Sequence, residues 1–132
     1  MNLDYLIPIG LWGDDANFNR RDKVLVILYF SVLKRLHELD SRFVAVTLHY
    51  KRIIHMVTQH EVLEVLSWSF CWCLYGRHPP YDHKRVPFSM QHHPVRYRLA
   101  NQELTGHYRF VYSETKGDAP FLAQTFHWDA FN

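Results

Sequence analysis

Residues 23–34 read KVLVILYFSVLK, an apolar run of β-branched, leucine and aromatic side chains between two lysines. An unbroken run of this kind is typical of a β-strand that is buried on both faces of a sheet, although a buried helix is an alternative that periodicity alone does not exclude. The run is about half as long as a membrane-spanning helix requires. We therefore predict a central strand here, and no membrane span.

A second apolar stretch precedes this strand. Residues 6–12 are apolar and are followed by Gly13, Asp14 and a polar turn over residues 15–22. Proline has no N–H to donate to a β-ladder, so Pro8 should mark the entrance of a strand that begins just after it. Asp14 is then expected directly after the end of this first strand.

The next elements extend the pattern. Residues 42–50 predict a third strand, so that the first three strands form an antiparallel meander. Residues 58–75 predict a helix, because apolar residues recur at helical spacing. Thr58 and Glu61 fit a capping box at its start, and Gly76 can adopt the left-handed cap at its end.

An irregular insertion follows the helix. Residues 77–106 are rich in proline, histidine and basic side chains, and we expect at most a short hairpin there. Residues 107–115 alternate like a strand, and residues 119–126 open a second helix. The order predicts one α/β domain over residues 1–132, built on a mixed sheet whose last strand runs parallel to the first.

Acidic residues follow the first and the last predicted strands, at Asp14 and Asp118. The carboxyl ends of neighbouring parallel strands meet at one edge of a sheet, so these two carboxylates should converge if the strands pair. Carboxylates held close together repel each other unless a divalent cation lies between them, and their oxygens suit Mg²⁺ or Mn²⁺. Such a site can promote phosphodiester cleavage. Gly-Asp is also a common turn dipeptide, so a plain loop is the alternative.

Three blocks of the chain resemble a known group of mobile-element proteins. The blocks are residues 8–15 (PIGLWGDD) running into 23–26 (KVLV), residues 66–70 (LSWSF) followed by Gly76, Pro79 and Asp82-His83, and residues 106–110 (GHYRF) leading to Lys116-Gly117-Asp118 and Phe126. Together they resemble a large family of transposon-like proteins that is abundant in dinoflagellate genomes. That family in turn is similar to the Plavaka and Kyakuja–Dileera–Zisupton groups of cut-and-paste transposases.

This resemblance implies an RNase-H-like fold whose acidic triad holds Mg²⁺ or Mn²⁺ and acts on DNA, in an intracellular, nuclear protein. Asp14 matches the first acid, with Asp15 as the alternative ligand, and Asp118 matches the second. The third acid, a glutamate on a later helix, has no counterpart before the chain ends at Asn132. We therefore expect an incomplete catalytic domain that is inactive alone and whose partner is the missing C-terminal part.

Basic residues are the candidate DNA contacts. The formal net charge of +2 is mildly basic and permits a nucleic-acid partner without demanding one. Arg20, Arg21 and Lys23 follow the first acidic site, and Lys84 and Arg85 lie in the insertion. These side chains are placed to contact phosphates, and an ordinary solvated face is the alternative.

Two other functions fit the sequence. Glu114 and Lys116 should share a strand face and, with Asp82 upstream, match the Glu-x-Lys pattern of restriction-type nucleases. A non-catalytic remnant or interaction module is the second alternative, with exposed aromatic side chains near the C-terminus as its interface.

Cysteine and histidine patterns do not indicate a zinc site. Cys71 and Cys73 lie two apart on the predicted helix, so their side chains point in different directions, and we expect two small buried residues. The ten histidines match no structural zinc spacing.

Overall fold

The computed structural model describes residues 3–17, 22–33, 42–54, 57–117 and 119–126. Its elements, in chain order, are strands β1 (Leu6–Asn17), β2 (Lys23–Ser31) and β3 (Arg42–His49), helices α1 (Val57–Tyr75) and α2 (Pro94–Leu99), strand β4 (Arg109–Gly117) and helix α3 (Ala119–Phe126). Among these residues, no helix is both long and apolar enough to span a bilayer.

Strands β1, β2 and β3 form the predicted antiparallel meander. The β1–β2 pairing runs from Ile9 opposite Ser31 to Asn17 opposite Lys23. β2 pairs with β3 in two registers, which change after Ile27. The apolar run is therefore a strand and not the alternative helix, because it lies between two hydrogen-bonded neighbours.

Strand β4 completes the sheet on the other side of β1. The strand order is β3-β2-β1-β4, and β4 runs parallel to β1. The long connection between β3 and β4 allows the chain to return so that β4 can pair in parallel with β1. The predicted α/β fold, with a mixed sheet whose last strand lies parallel to the first, is confirmed.

Strand β1 is longer than the sequence predicts. A polar turn is predicted from Asp15 onward, but the strand continues to Asn17. Asp14 pairs with Val26, and Asp15 pairs with Leu25, in the β1–β2 ladder. The prediction that Asp14 follows the strand is therefore wrong. The apolar strand β2 supplies backbone partners along its whole length, and this pairing outweighs the weak β-propensity of aspartate.

One face of the sheet is buried more deeply than the other. Its buried side chains come from β1, β2 and α3, and they are Ile9, Leu11, Leu25, Ile27 and Phe121. The strand residues in this set alternate along β1 and β2, so they share one face, which we call the helix face. The intervening residues of β2, whose side chains lie on the opposite face, are only half-buried. The prediction that β2 is buried on both faces is therefore wrong, because its fully buried positions all lie on the face against which α3 packs.

Helix α1 ends as predicted but starts differently. Gly76 follows the helix with φ of 69°, and its N–H donates to the Trp72 carbonyl oxygen at 2.8 Å, which is the left-handed cap. The predicted capping box is wrong, because the helix already includes Thr58. The Thr58 hydroxyl instead accepts a hydrogen bond from the Ile54 N–H at 3.0 Å, in the segment before the helix.

The segment over residues 77–106 is more regular than predicted. It contains the expected short hairpin, in which Tyr81 and Pro87 form a β-bridge. It also contains α2, which the sequence does not predict, because six residues are too few to show helical periodicity. Pro94 at the first position of α2 is the available signal, since proline suits the helix start, where N–H groups have no helical partner.

The chain divides into two compact units. The first, which we call the helix unit, consists of residues 1–7 and 63–111. The second, the sheet unit, consists of residues 8–62 and 112–132. The prediction of a single domain over residues 1–132 stays a prediction.

Gln59 connects two helices inside the sheet unit. Its side chain is buried, and its amide donates to the Thr125 hydroxyl at 2.8 Å and to the Phe121 carbonyl oxygen at 3.4 Å. A buried amide is tolerated only when it is hydrogen-bonded, so this contact helps to determine how the start of α1 packs against α3.

Candidate metal centre

The candidate site lies where β1 and β4 run side by side. Two glycines, Gly13 on β1 and Gly117 on β4, mark the closest approach. A Cβ on Gly117 would overlap the carbonyl oxygen of Gly13, and a Cβ on either glycine would overlap the Phe121 ring. The two backbones are therefore in direct contact, with the α3 aromatic ring packed on the helix face.

A second contact gives the same alignment of the two strands. The Ser113 hydroxyl donates to the Ile9 carbonyl oxygen at 3.2 Å, and these residues are 104 positions apart in the sequence. Gly13 and Gly117 have the same separation, so the two contacts belong to one register of β1 against β4. Each predicted acid follows one of the two paired glycines directly in the sequence.

The predicted metal ligands are only partly within the described residues. Asp14 lies in β1 and is half-buried, and its carboxylate forms neither a hydrogen bond nor an ion pair with a described residue. Asp15 is described through its backbone pairing with Leu25. Asp118 lies outside the described residues. Within the described ranges, no group of three or more histidine, cysteine, aspartate or glutamate residues could hold a metal ion.

Cations lie over aromatic rings on the second face of the sheet, the one opposite the helix face. The Arg42 guanidinium is 4.5 Å from the centre of the Trp12 ring, and the Lys116 ammonium is 5.4 Å from that of Phe30. Trp12 precedes Asp14 by two positions on β1, so both side chains are on this face. Sequence reasoning did not assign Arg42 to the site, because only the pairing of the strands brings it close to β1.

The predicted DNA contacts are surface cations where they are described. Lys23 is exposed at the start of β2, in the sheet unit. Lys84 and Arg85 are exposed in the hairpin turn of the helix unit, and Arg85 has a φ of 64°. Arg20 and Arg21 lie outside the described residues. Exposure of Lys23, Lys84 and Arg85 is compatible with phosphate contacts and equally with a solvated surface.

The residues of the restriction-type alternative form local contacts. Glu114 and Lys116 share a strand face, as predicted, and their side chains form an ion pair at 3.0 Å. The Asp82 carboxylate accepts hydrogen bonds from the N–H groups of Lys84 and Val86 at 2.9 and 2.8 Å. This is the usual role of aspartate in a turn, so the local structure already explains the Asp82 side chain.

The two cysteines differ in environment. Cys71 is exposed, so the prediction that both are buried is wrong for this residue, which lies on the outer side of α1. Cys73 is half-buried, and burial raises the pKa of its thiol. A thiol in this state is protonated at neutral pH and is a poor metal ligand.

Comparison with protein-family models, with curated proteins and with solved structures gives no match to this chain. The resemblance to transposon-like proteins stays a prediction that rests on the three sequence blocks.

Proposed function

We propose that this chain carries the first two acids of an RNase-H-like catalytic domain, which cuts or joins DNA strands with Mg²⁺ or Mn²⁺ in a transposase-like protein. The observation that carries the proposal is the alignment of β4 with β1. If the register of Ile9 with Ser113 and Gly13 with Gly117 continues for one residue, Asp118 lies opposite Asp14. The three sequence blocks support the same two positions.

The chemistry of Asp14 fits a hard divalent cation. Its carboxylate is half-buried, and no hydrogen bond or ion pair to a described residue occupies its oxygens. Oxygen donors of this kind are the ligands that Mg²⁺ and Mn²⁺ prefer. When bound, the cation would promote attack of water or of a 3′-hydroxyl on a DNA phosphodiester. In this proposal Asp14 and Asp118 hold the cation, and Asp15 is the alternative ligand.

Cations on the face of the sheet that carries Asp14 would help to position the DNA. Arg42 and Lys116 are held over the rings of Trp12 and Phe30 on this face, and Lys116 is also ion-paired with Glu114. A positive charge held in place on this face can offset the charge of a phosphate group. Lys23, Lys84 and Arg85 are the exposed cations that we assign to more distant phosphates, together with Arg20 and Arg21.

Metal binding is the direct test, because it needs no turnover. We expect isothermal titration with Mn²⁺ to show one or more saturable sites in the wild-type chain. The double variant Asp14→Asn, Asp118→Asn should lose this binding, whereas Glu64→Gln, which removes an exposed carboxylate from α1, should keep it. Identical titrations of the double variant and the wild type would exclude the proposed site.

The same titration separates the restriction-type alternative. Glu114→Gln should leave Mn²⁺ binding unchanged in our proposal, because Glu114 is paired with Lys116. If Glu114→Gln abolishes binding and the double aspartate variant does not, the metal belongs to the Glu-x-Lys site.

An interaction module is the second candidate function, and one observation favours it. Strand β3 lies at one end of the strand order, and its neighbouring residues Phe43 and Val44 are 51% and 64% exposed. Apolar side chains on an edge strand favour pairing with another chain. Sedimentation measurements over a range of concentrations should then show association of the wild type that Val44→Lys removes. A wild type that stays monomeric throughout would exclude self-association through β3.

A further inference from the structure

A pocket of about 240 Å³ lies within the helix unit. It is formed by the second half of α1, the chain just after α1, the helix α2 and the segment before β4. Its lining includes Trp68, Trp72, Cys73, His78, Arg96 and Leu104. None of these residues belongs to the proposed metal centre, so the pocket is a separate feature of the molecule.

The tryptophan walls of the pocket are suited to a flat ring. The Trp72 ring is in contact with the rings of Tyr75 and Tyr81, with centroids 5.6 and 5.5 Å apart and interplanar angles of 57° and 75°. These contacts hold Trp72 in one orientation before any ligand arrives. Indole rings offer large faces on which aromatic ligands stack, and every nucleic-acid base has a face that can stack in this way.

A hydrogen-bond donor of the pocket lining lacks an acceptor. The indole N–H of Trp68 is inaccessible to solvent, and no acceptor for it exists among the described residues. Buried donors of this kind almost always have a partner, because leaving one unpaired costs free energy. Since solvent does not reach this N–H, a ligand in the pocket would contact the carbon atoms of the Trp68 ring and not its N–H.

Arg96 places a positive charge at the same pocket. The Arg96 guanidinium lies 5.3 Å from the centre of the Phe88 ring, and this ring is buried, so the cation is held by a rigid support. Within the described ranges, no carboxylate forms an ion pair with Arg96. Its hydrogen-bond donors are therefore free for an anion, and a phosphate matches their planar fork.

The surrounding chain favours an anionic ligand. The segment over residues 77–109 has an excess of basic over acidic side chains. The basic residues are Arg77, Lys84, Arg85, Arg96, Arg98 and Arg109, and the acidic residues are Asp82 and Glu103. The mild positive charge of the whole chain is thus concentrated in this segment, which also supplies His78, Arg96 and Leu104 of the pocket lining, and it would attract a phosphate.

We propose that this pocket binds a nucleotide, with the base against the Trp72 ring and the phosphate on Arg96. A volume of about 240 Å³ is enough for one base. The sugar and the phosphate would then lie at the mouth of the pocket. The ligand is either a free nucleotide or one nucleotide of single-stranded DNA.

Tryptophan fluorescence gives a direct readout, because two tryptophans line the pocket. We expect AMP to quench the fluorescence of the full chain in a saturable way and adenosine to bind at least about tenfold more weakly, since it lacks the phosphate. Arg96→Gln should remove this difference between AMP and adenosine. Arg98→Gln, which changes an exposed arginine on the same helix outside the pocket lining, should keep it.

A second variant tests the role of the Trp72 ring. Trp72→Leu removes the face on which the base stacks, so AMP binding should weaken by about tenfold while circular dichroism stays that of the wild type. Titration with a short oligodeoxyadenylate then separates the two sources of the nucleotide. Binding that is much tighter than that of AMP, with the same dependence on Arg96, assigns the pocket to single-stranded DNA, and equal binding assigns it to a free nucleotide.

Two results would overturn the proposal. The first is a folded protein that AMP and the oligonucleotide do not quench in a saturable way. The second is an equal loss of affinity in Arg96→Gln and Arg98→Gln, which would show that charge alone attracts the ligand. Neither result depends on the metal centre, because the Asp14→Asn, Asp118→Asn variant should bind AMP as the wild type does.

Discussion

The α-carbon of Gly117 faces the carbonyl oxygen of Gly13 so closely that Gly117 has no room for a side chain. This contact joins the end of β4 to the interior of β1, a parallel strand that is far away in the sequence. The Phe121 ring of α3 packs against both glycines and closes the helix face at this point. The position of the two candidate acids therefore depends on two residues that have no side chains of their own.

Adding a methyl group at this contact should destabilise the protein. We expect Gly117→Ala to lower the free energy of unfolding by about 2–3 kcal/mol, because the new Cβ would overlap backbone and a buried ring. Gly106→Ala is the control, since its Cβ would meet nothing within 4 Å and only its φ of 59° is unfavourable, at about 1 kcal/mol. Urea denaturation measures both values. Equal losses in the two variants would contradict the close packing of β4 on β1.

Repulsion between the two acids should be measurable without metal. If Asp14 and Asp118 face each other, either single change to asparagine should stabilise the metal-free protein by about 0.5–1 kcal/mol. The double variant should then gain less than the sum, because the second change removes no further repulsion. Unfolding in the presence of a chelator gives the three free energies. Additivity within about 0.3 kcal/mol would show that the carboxylates do not interact.

The buried amide of Gln59 should matter to stability more than its exposed neighbour. Gln59→Met keeps the length of the side chain but removes the hydrogen bonds to Thr125 and Phe121, so we expect a loss of about 1–2 kcal/mol. His60→Ala, at an exposed position of the same helix, should change stability by less than about 0.5 kcal/mol. Thermal unfolding of both variants measures the difference. If Gln59→Met is as stable as the wild type, the hydrogen bonds between α1 and α3 do not stabilise the protein.

The two cysteines should react at different rates. Burial raises the pKa of the Cys73 thiol, which lowers its fraction of reactive thiolate, and burial also shields its sulfur, whereas Cys71 is exposed. At pH 8 we expect iodoacetamide to modify Cys73 more slowly than Cys71 by on the order of tenfold. Mass spectrometry of Cys71→Ser and Cys73→Ser isolates each site. Equal rates at all pH values would contradict the burial of Cys73.

Some features of the fold follow from short stretches of sequence. The run over residues 23–34 predicts β2, and the helical spacing of apolar residues before Gly76 predicts α1 and its cap. Both elements are long, and their composition and flanking residues are local features, whereas only pairing with two neighbouring strands excluded the alternative helix for β2. Helix α2 is different, because six residues carry almost no period and Pro94 is compatible with a turn as well as with a helix.

The candidate sites depend more strongly on long-range packing. Sequence order brings Asp14 and Asp118 into consideration as acids near strand ends, and the resemblance assigns them the same role. The sequence does not predict that β1 continues through Asp14, because that extension comes from hydrogen bonds to β2. Nor does it predict the pocket, whose lining residues have ordinary roles in α1 and in a loop when each is considered alone.

The sequence by itself determined the types and the order of the main elements, because the hydrophobic period of a strand or a helix is carried by consecutive residues. Only the tertiary structure decided where β1 ends, how β4 is aligned with it, and that Trp68 and Arg96 line one pocket. These features depend on which distant residues fill the same space, and close packing of backbones and rings selects one register among several that the local pattern permits.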